Sequence, residues 1–291
     1  MDKASSLHSE ITTRLTTISD TPSLDASVLI AHVIQKPRSW VMAHPEARLT
    51  NTEQKQLSDS LVRLKGGEPL PYVLGHWEFF GLEFDVTPDV LIPRPETELL
   101  VEKAISWLKR LSLPDPRVAD VGTGSGAIAI SLAVHLPEVQ ILATDISGKA
   151  LNVAKRNARK FKVEDRIEFV ECDLLPETSA FKNRQSAFNM ICANLPYIPT
   201  DELHRLPIYE REPTLALDGG ADGLDQIRKL IRLAPTCLAP NGLILLEIEA
   251  SQGAMALSLA RAAFPNSSIE LHRDLAGKDR LLGINFSRIN I

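Results

Sequence analysis

The sequence predicts an α/β protein: a seven-stranded, mainly parallel sheet with one antiparallel strand, behind a small N-terminal helical domain. Three observations carry this. Beyond Arg117, apolar strand candidates alternate with helical stretches. The first of those strands runs into a turn holding Gly122, Gly124 and Gly126. The residues before about 75 repeat apolar positions at helical spacing instead.

In chain order, Leu7, Ile11, Leu15 and Ile18, then Leu24, Val28, Leu29 and Val33, mark one face of helices. Leu57, Leu61 and Leu64 repeat the spacing before Gly66-Gly67 ends it. From His76 to Val90 the pattern turns strand-like around Gly81 (Phe80, Leu82, Phe84, Val86), which predicts a short hairpin linking two domains. The expected boundaries are 1–75, 76–94 and 95–291. "IPRPETELL" sets Pro95, Glu96 and Glu98 ahead of an apolar periodic stretch, the chemistry of a helix N-terminus. The strands are VADVG, ILATD, IEFVECD, FNMICAN, LILLEIE, SIELH and RLLGINF, with helices near 126–136, 148–160, 224–238 and 251–263 between most of them. Such alternation gives right-handed crossovers and a parallel sheet covered on both faces. Only Arg273 to Asp279 joins the last two strands, too short for a crossover, so they run antiparallel at the end of the sheet.

A chain of 291 residues with 44% hydrophobic content buries a substantial core. The start, MDKASSLHSE, is polar, and no run reaches the ~20 apolar residues of a membrane span, which points to the cytoplasm. Cys172, Cys192 and Cys237 lie far apart without a CxxC pair and read as buried thiols. The seven histidines lack ligand spacing, so no metal is expected. A formal net charge of −5 argues against a broad basic field for a nucleic-acid backbone.

"ADVGTGSGAIAISLA" places its glycines between a strand and a helix, where backbone turns sharply toward a ligand and the helix start offers unpaired N–H groups. Asp145 ends the next strand about 20 residues on, where a carboxylate accepts both hydroxyls of a ribose. Read as GxGxxA, with Ala127 third, the loop suits a dinucleotide. Read as GxGxG, it suits S-adenosylmethionine. Asp173, in "ECDLLP", is placed to accept an adenine amino group, and Leu174 to lie on the purine face. Gly122, Asp145, Asp173 and Asn194 share the carboxyl edge of the sheet, where open α/β sheets bind ligands.

At that edge "CANLPYIP" ends the fourth strand in Asn194, Leu195, Pro196 and Tyr197. This chemistry fits a planar NH2 group as methyl acceptor. Such a nitrogen has its lone pair drawn into a π system, and ordinary bases do not usefully deprotonate it. Two acceptors, the Asn194 side-chain oxygen and the Leu195 carbonyl, would hold its protons and aim the lone pair, with rate coming from positioning. Tyr197 would wall one face.

From these residues the chain resembles the bacterial release factor glutamine methyltransferase family. The resemblance covers nearly the whole sequence, through "EPLPYVLGHWEFFGLEFDVTPDVLIPRPETE", "ADVGTGSGAIAI", "NLPYI", "EPTLALDGGADGLD" and "LAGKDRLLG". It implies a Rossmann-like S-adenosylmethionine-dependent methyltransferase domain with a helical domain that helps hold a peptide-chain release factor. The implied reaction methylates the side-chain amide of the glutamine in the release factor's Gly-Gly-Gln loop and leaves S-adenosylhomocysteine. Carried onto this chain, cofactor binding falls to Gly122, Thr123, Gly124, Ser125, Gly126, Asp145, Asp173, Leu174 and Asn194, and amide binding to Asn194, Leu195, Pro196 and Tyr197. The implied protein is a monomer without stable nucleic-acid or membrane contacts.

Two positions depart from the family pattern. Leu195 stands where the first of two prolines is usual, which keeps the carbonyl but frees φ and adds an N–H. Leu174 stands where an aromatic often stacks on adenine. "NLPY" is also the spelling of ribosomal RNA adenine dimethyltransferases, so the alternative is an N6-adenine methyltransferase acting on RNA or DNA. Those enzymes carry basic surfaces and place the accessory domain last, unlike this acidic chain with its extra domain first. A non-catalytic cofactor-binding scaffold is the third reading. "EPTLALDGGADGLD" reads as a solvated loop by default, or as a wall of the substrate entrance. Arg94 reads either as a pin for the hinge or as a surface arginine.

Overall fold

The computed structural model describes residues 4–44, 46–111, 113–176 and 187–286. The chain divides at His76/Trp77 into two compact units. The first holds helices α1 (Ala4–Leu15), α2 (Pro22–Ile34), α3 (Arg38–Ala43), α4 (Asn51–Lys65) and α5 (Leu70–Leu74). Thr50 starts α4 with a capping box: its hydroxyl accepts from Glu53 N, and the Glu53 carboxylate accepts from Thr50 N at 2.6 Å. Ile11, Leu15, Leu29, Leu57 and Leu61 are buried in this unit, as their spacing predicts. Ile18 falls in the turn after α1 and Leu24 in the first turn of α2, and both are exposed.

Strand β1 (His76–Phe79) begins at the division between the units and pairs with β2 (Leu82–Asp85) across Phe80-Gly81. Both turn residues have positive φ, 52° and 71°, which a two-residue hairpin turn needs to match strand twist. Phe79 and Phe84 are fully buried in one apolar cluster with Leu100, Val101 and Leu108 of α6 (Glu98–Leu111). Glu98 sits at the start of α6, as predicted, and also fixes the hairpin by accepting from Phe80 N at 2.8 Å.

The main sheet comprises β3 (Arg117–Val121), β4 (Gln140–Asp145), β5 (Ile167–Glu171), β6 (Phe188–Ala193), β7 (Leu238–Glu247), β8 (Ser268–Arg273) and β9 (Asp279–Asn285), in the order β5-β4-β3-β6-β7-β9-β8. Neighbours from β5 to β7 are parallel, and β9 is antiparallel to both β7 and β8. The reversed strand therefore lies one place in from the edge. Burial explains this: Leu281, Leu282 and Ile284 of β9 are buried, whereas the polar SIELHR of β8 suits an edge. Helices α7 (Ala127–His135), α8 (Gly148–Lys160), α10 (Asp225–Cys237) and α11 (Gly253–Ala263) follow the predicted stretches, and a short α9 (Thr200–Leu203) follows β6. Strand order reverses between β3 and β6, which opens a crevice at their carboxyl ends. Among the described residues no helix is long and apolar enough to cross a membrane.

Candidate active site

Gly122, Gly124, Asp145, Asp173, Leu174, Asn194, Leu195 and Pro196 line one cavity at the carboxyl ends of β3, β4, β5 and β6. Gly124 (φ +55°) donates its N–H to Asp145 Oδ2 at 2.9 Å, and a Cβ there would meet no atom within 4 Å. Its backbone therefore faces open space, a cradle for a ligand. Asp145 Oδ1 accepts from Ser147 N at 2.9 Å. Burial pushes the Asp145 carboxyl up, against the N–H groups of Ser147, Gly124 and Ile146. Leu174 reaches the cavity with φ +60°, held there by Thr144 Oγ1 donating to its carbonyl at 2.5 Å.

Thr123, Ser125 and Gly126 are not among the residues lining this cavity, and Thr123 and Ser125 are buried in the turn. The Thr123 hydroxyl donates to Asp120 Oδ2 at 2.6 Å, and Ala129 N, in the first turn of α7, donates to the same oxygen at 3.1 Å. Asp120 is fully buried, and among the described residues its Oδ1 has no hydrogen-bond partner. Burial pushes its carboxyl up to about 6, opposed by those two donors. Ser125 O accepts from Asn157 Nδ2 at 2.9 Å, and Asn157 also bonds Asp85 N and O at 2.8 and 3.0 Å. One buried amide of α8 thus ties β2 to the glycine turn.

Asn194 Nδ2 donates to Thr97 Oγ1 at 3.0 Å, which leaves Oδ1 as the amide's acceptor atom. Leu195 is buried, and its Cδ2 would lie 3.2 Å from a Cβ on Gly122. Tyr197 ends the acceptor tetrapeptide. Its hydroxyl points to Glu247 Oε1 at 3.4 Å, its carbonyl is held by Gln252 Nε2 at 2.8 Å, and it is absent from the cavity lining. Glu247, at the end of β7, is buried, and among the described residues its Oε2 has no hydrogen-bond partner.

The "EPTLALDGGADGLD" segment also lines the cavity, through Pro213, Leu215 and Ala216. It is stitched to the acceptor loop by Ile198 N donating to Leu217 O at 3.0 Å and Gly219 N donating to Ile198 O at 2.8 Å. Glycine is required at 223, where φ is +77° and a Cβ would stand 2.1 Å from Tyr197 O. Glu212 anchors the segment: buried, it accepts from Arg94 Nη2 at 2.5 Å and from Ile92 N at 3.0 Å. Of the two readings of Arg94, this pairing supports the pin. Thr97, Glu212, Glu247 and Asn157 escaped the sequence reading. Their signal was faint: a threonine between two glutamates, acids beside apolar runs, and an asparagine on the apolar face of α8.

The buried acids set a pH response. Burial pushes Glu247 up to about 7 from an ordinary 4.5, and Asp120 to about 6 from 3.8. The native state therefore binds more protons than the unfolded chain between about pH 4 and 7. Their contribution is full below the ordinary values and is lost as pH rises through 6 and 7. Urea unfolding is expected to show stability rising as pH falls from about 7.5 to 5, and Glu247→Gln to remove the upper part of that rise. A flat or inverted profile in this window contradicts the assignment.

Comparison with known proteins matches residues 6–75 to the family described as PrmC N-terminal domain and residues 101–204 to ribosomal protein L11 methyltransferase (PrmA). Among solved structures, the hMettl16 catalytic domain in complex with MAT2A 3′UTR hairpin 6 aligns with a TM-score of 0.55 at 15% identity, covering 82% of this chain and 83% of that one. A methyltransferase from Pyrococcus furiosus aligns at 0.51 and 17% identity, covering 82% and 100%. These likenesses concern the fold. Release factor glutamine methyltransferase of Moorella thermoacetica is 42% identical over 264 residues, 89% of each chain. That of Coxiella burnetii is 41% identical over 277 residues, 94% of this chain and 95% of the relative. With this identity along almost its full length, the chain belongs to the release factor glutamine methyltransferase family.

Proposed function

We propose that the protein transfers a methyl group from S-adenosylmethionine to the side-chain amide nitrogen of the glutamine in the Gly-Gly-Gln loop of peptide-chain release factors. The observation that carries this reading is the Asn194 amide, whose nitrogen is committed to Thr97 and whose oxygen is left for a donor at the cavity. The residues present fit the cofactor. Gly124 offers an unobstructed backbone, Asp145 a carboxylate for ribose hydroxyls, Asp173 an acceptor for the adenine amino group, and Leu174 apolar contact for the purine. When bound, S-adenosylmethionine supplies an electrophilic methyl whose leaving group is a neutral thioether. Asn194 Oδ1 and the Leu195 carbonyl hold the two protons of the incoming amide and fix its lone-pair direction, and one of those protons passes to solvent once the nitrogen carries the methyl group. Pro196 stiffens the loop that presents them.

In this reading residues 1–75 recognise the release factor, the 76–94 hairpin links the domains, and 95–291 carry the chemistry. The protein acts as a cytoplasmic monomer without a stable nucleic-acid complex. Leu215 and Ile146, 59% and 52% exposed at the cavity, give its mouth apolar lips for an incoming loop. Incubation with labelled S-adenosylmethionine and, separately, release factor and ribosomal RNA tests the assignment: label is expected in the Gly-Gly-Gln peptide, and label only in RNA overturns it. Asp145→Ala is expected to weaken cofactor binding by ~2 kcal/mol through loss of charge-assisted hydrogen bonds. Unchanged calorimetric affinity removes Asp145 from the cofactor site.

A further inference from the structure

We infer that Asn157 is a positioning residue for the cofactor turn: its side-chain amide fixes the peptide plane between Ser125 and Gly126 and couples that turn to strand β2. The inference rests on the proposed cofactor site and adds to it what holds the site's backbone in shape.

Asn157 is unfavourable where it stands. Helix α8 buries Ala150, Leu151, Val153, Ala154, Asn157 and Ala158, and the asparagine is the only polar side chain among these six. An alanine there would suit the helix better and bury no polar group. Yet both protons of the amide are used. Oδ1 accepts from Asp85 N at 2.8 Å, while Nδ2 donates one proton to Asp85 O at 3.0 Å and the other to Ser125 O at 2.9 Å. Both Nδ2 acceptors are carbonyls, so a reversed amide would set its oxygen against them, and one orientation alone satisfies all three bonds. A tie between α8 and β2 needs only the Asp85 pair. The third bond reaches the site.

Gly122, Gly124 and Gly126 all have positive φ, 74°, 55° and 84°, and without side chains they leave the turn many other shapes. Bonds from outside select one. Gly122 N and Thr123 N donate to Thr144 O at 2.9 and 2.8 Å, and Gly124 N donates to Asp145. The Ser125–Gly126 plane is held at both ends: Gly126 N donates to Thr123 O at 2.8 Å, and Ser125 O accepts from Asn157. Helix α8 also stands close at this point, since a Cβ on Gly126 would lie 3.3 Å from Ala154 Cβ. Releasing the Ser125 carbonyl therefore loosens the backbone next to Gly124, and a looser cradle must be ordered anew by each ligand. Because one side chain holds both segments, cofactor binding and the intact Asp85 tie stabilise each other by the same factor. Asp85 is absent from the cavity lining, so a response there is not a direct contact.

The test is amide exchange by NMR on the full chain, with calorimetry of S-adenosylhomocysteine binding beside it. On saturation with that ligand, the Asp85 amide is expected to exchange on the order of 10-fold more slowly. The Phe80 amide of the same hairpin, bonded to Glu98 instead, should change by less than about twofold. Asn157→Ala is expected to weaken binding by the same ~10-fold and to abolish the extra protection of Asp85. Lys160→Met breaks the ion pairs of α8 with Glu83 and Asp85, 3.3 and 2.7 Å long, but leaves the amide in place, and should keep affinity within about twofold. The wild-type comparison decides if the alanine variant does not fold. A wild type without affinity for S-adenosylhomocysteine defeats the cofactor site and this proposal with it. Binding with equal protection of Asp85 and Phe80, wild-type affinity in Asn157→Ala, or an equal loss in Lys160→Met overturns the proposal alone.

Discussion

Replacing Asn194 with alanine is expected to lower methyl transfer on the order of 10²- to 10³-fold, the scale of losing one preorganised polar group at a reacting centre. The fold should tolerate the change, because only the bond to Thr97 is lost, worth ~1 kcal/mol. An amide nitrogen is too poor a nucleophile to react unless its protons are held and its lone pair aimed, and the alanine variant retains only the Leu195 carbonyl for that task. Single-turnover transfer of a labelled methyl to release factor, measured beside cofactor affinity, separates the two effects. A variant with near wild-type turnover removes Asn194 from the mechanism.

Glu212→Ala is the largest expected loss of stability, about 3 kcal/mol by urea unfolding. The substitution leaves the buried Ile92 N–H without its acceptor and Arg94 without its partner. It also frees Pro213 to Ala216, one wall of the cavity, so activity should fall with stability. Glu212→Gln keeps an acceptor for Ile92 N and should lose less. A loss below about 1 kcal/mol in the alanine variant shows the ion pair to be incidental.

The sheet was readable because its strands are short, continuously apolar runs ended by Gly122, Asp145 and Asn194, which differ plainly from the helical spacing of Leu57, Leu61 and Leu64. The antiparallel ending followed from loop length alone. Its location between β7 and β8 did not, because insertion depends on which strand of the pair is buried on both faces. Residues at strand ends were legible as a site since topology alone gathers them. The contacts of Asn194 with Thr97, 97 positions apart, and of Arg94 with Glu212, 118 apart, carry no local pattern. The contact of the Tyr197 hydroxyl with Glu247, 50 residues away on another strand, has no local pattern either.

The most direct measurement is a crystal structure of the protein with S-adenosylhomocysteine and a release factor presenting its Gly-Gly-Gln loop. The glutamine side-chain nitrogen is expected about 3 Å from both Asn194 Oδ1 and the Leu195 carbonyl oxygen. A nitrogen directed elsewhere, with neither oxygen in reach, contradicts the account.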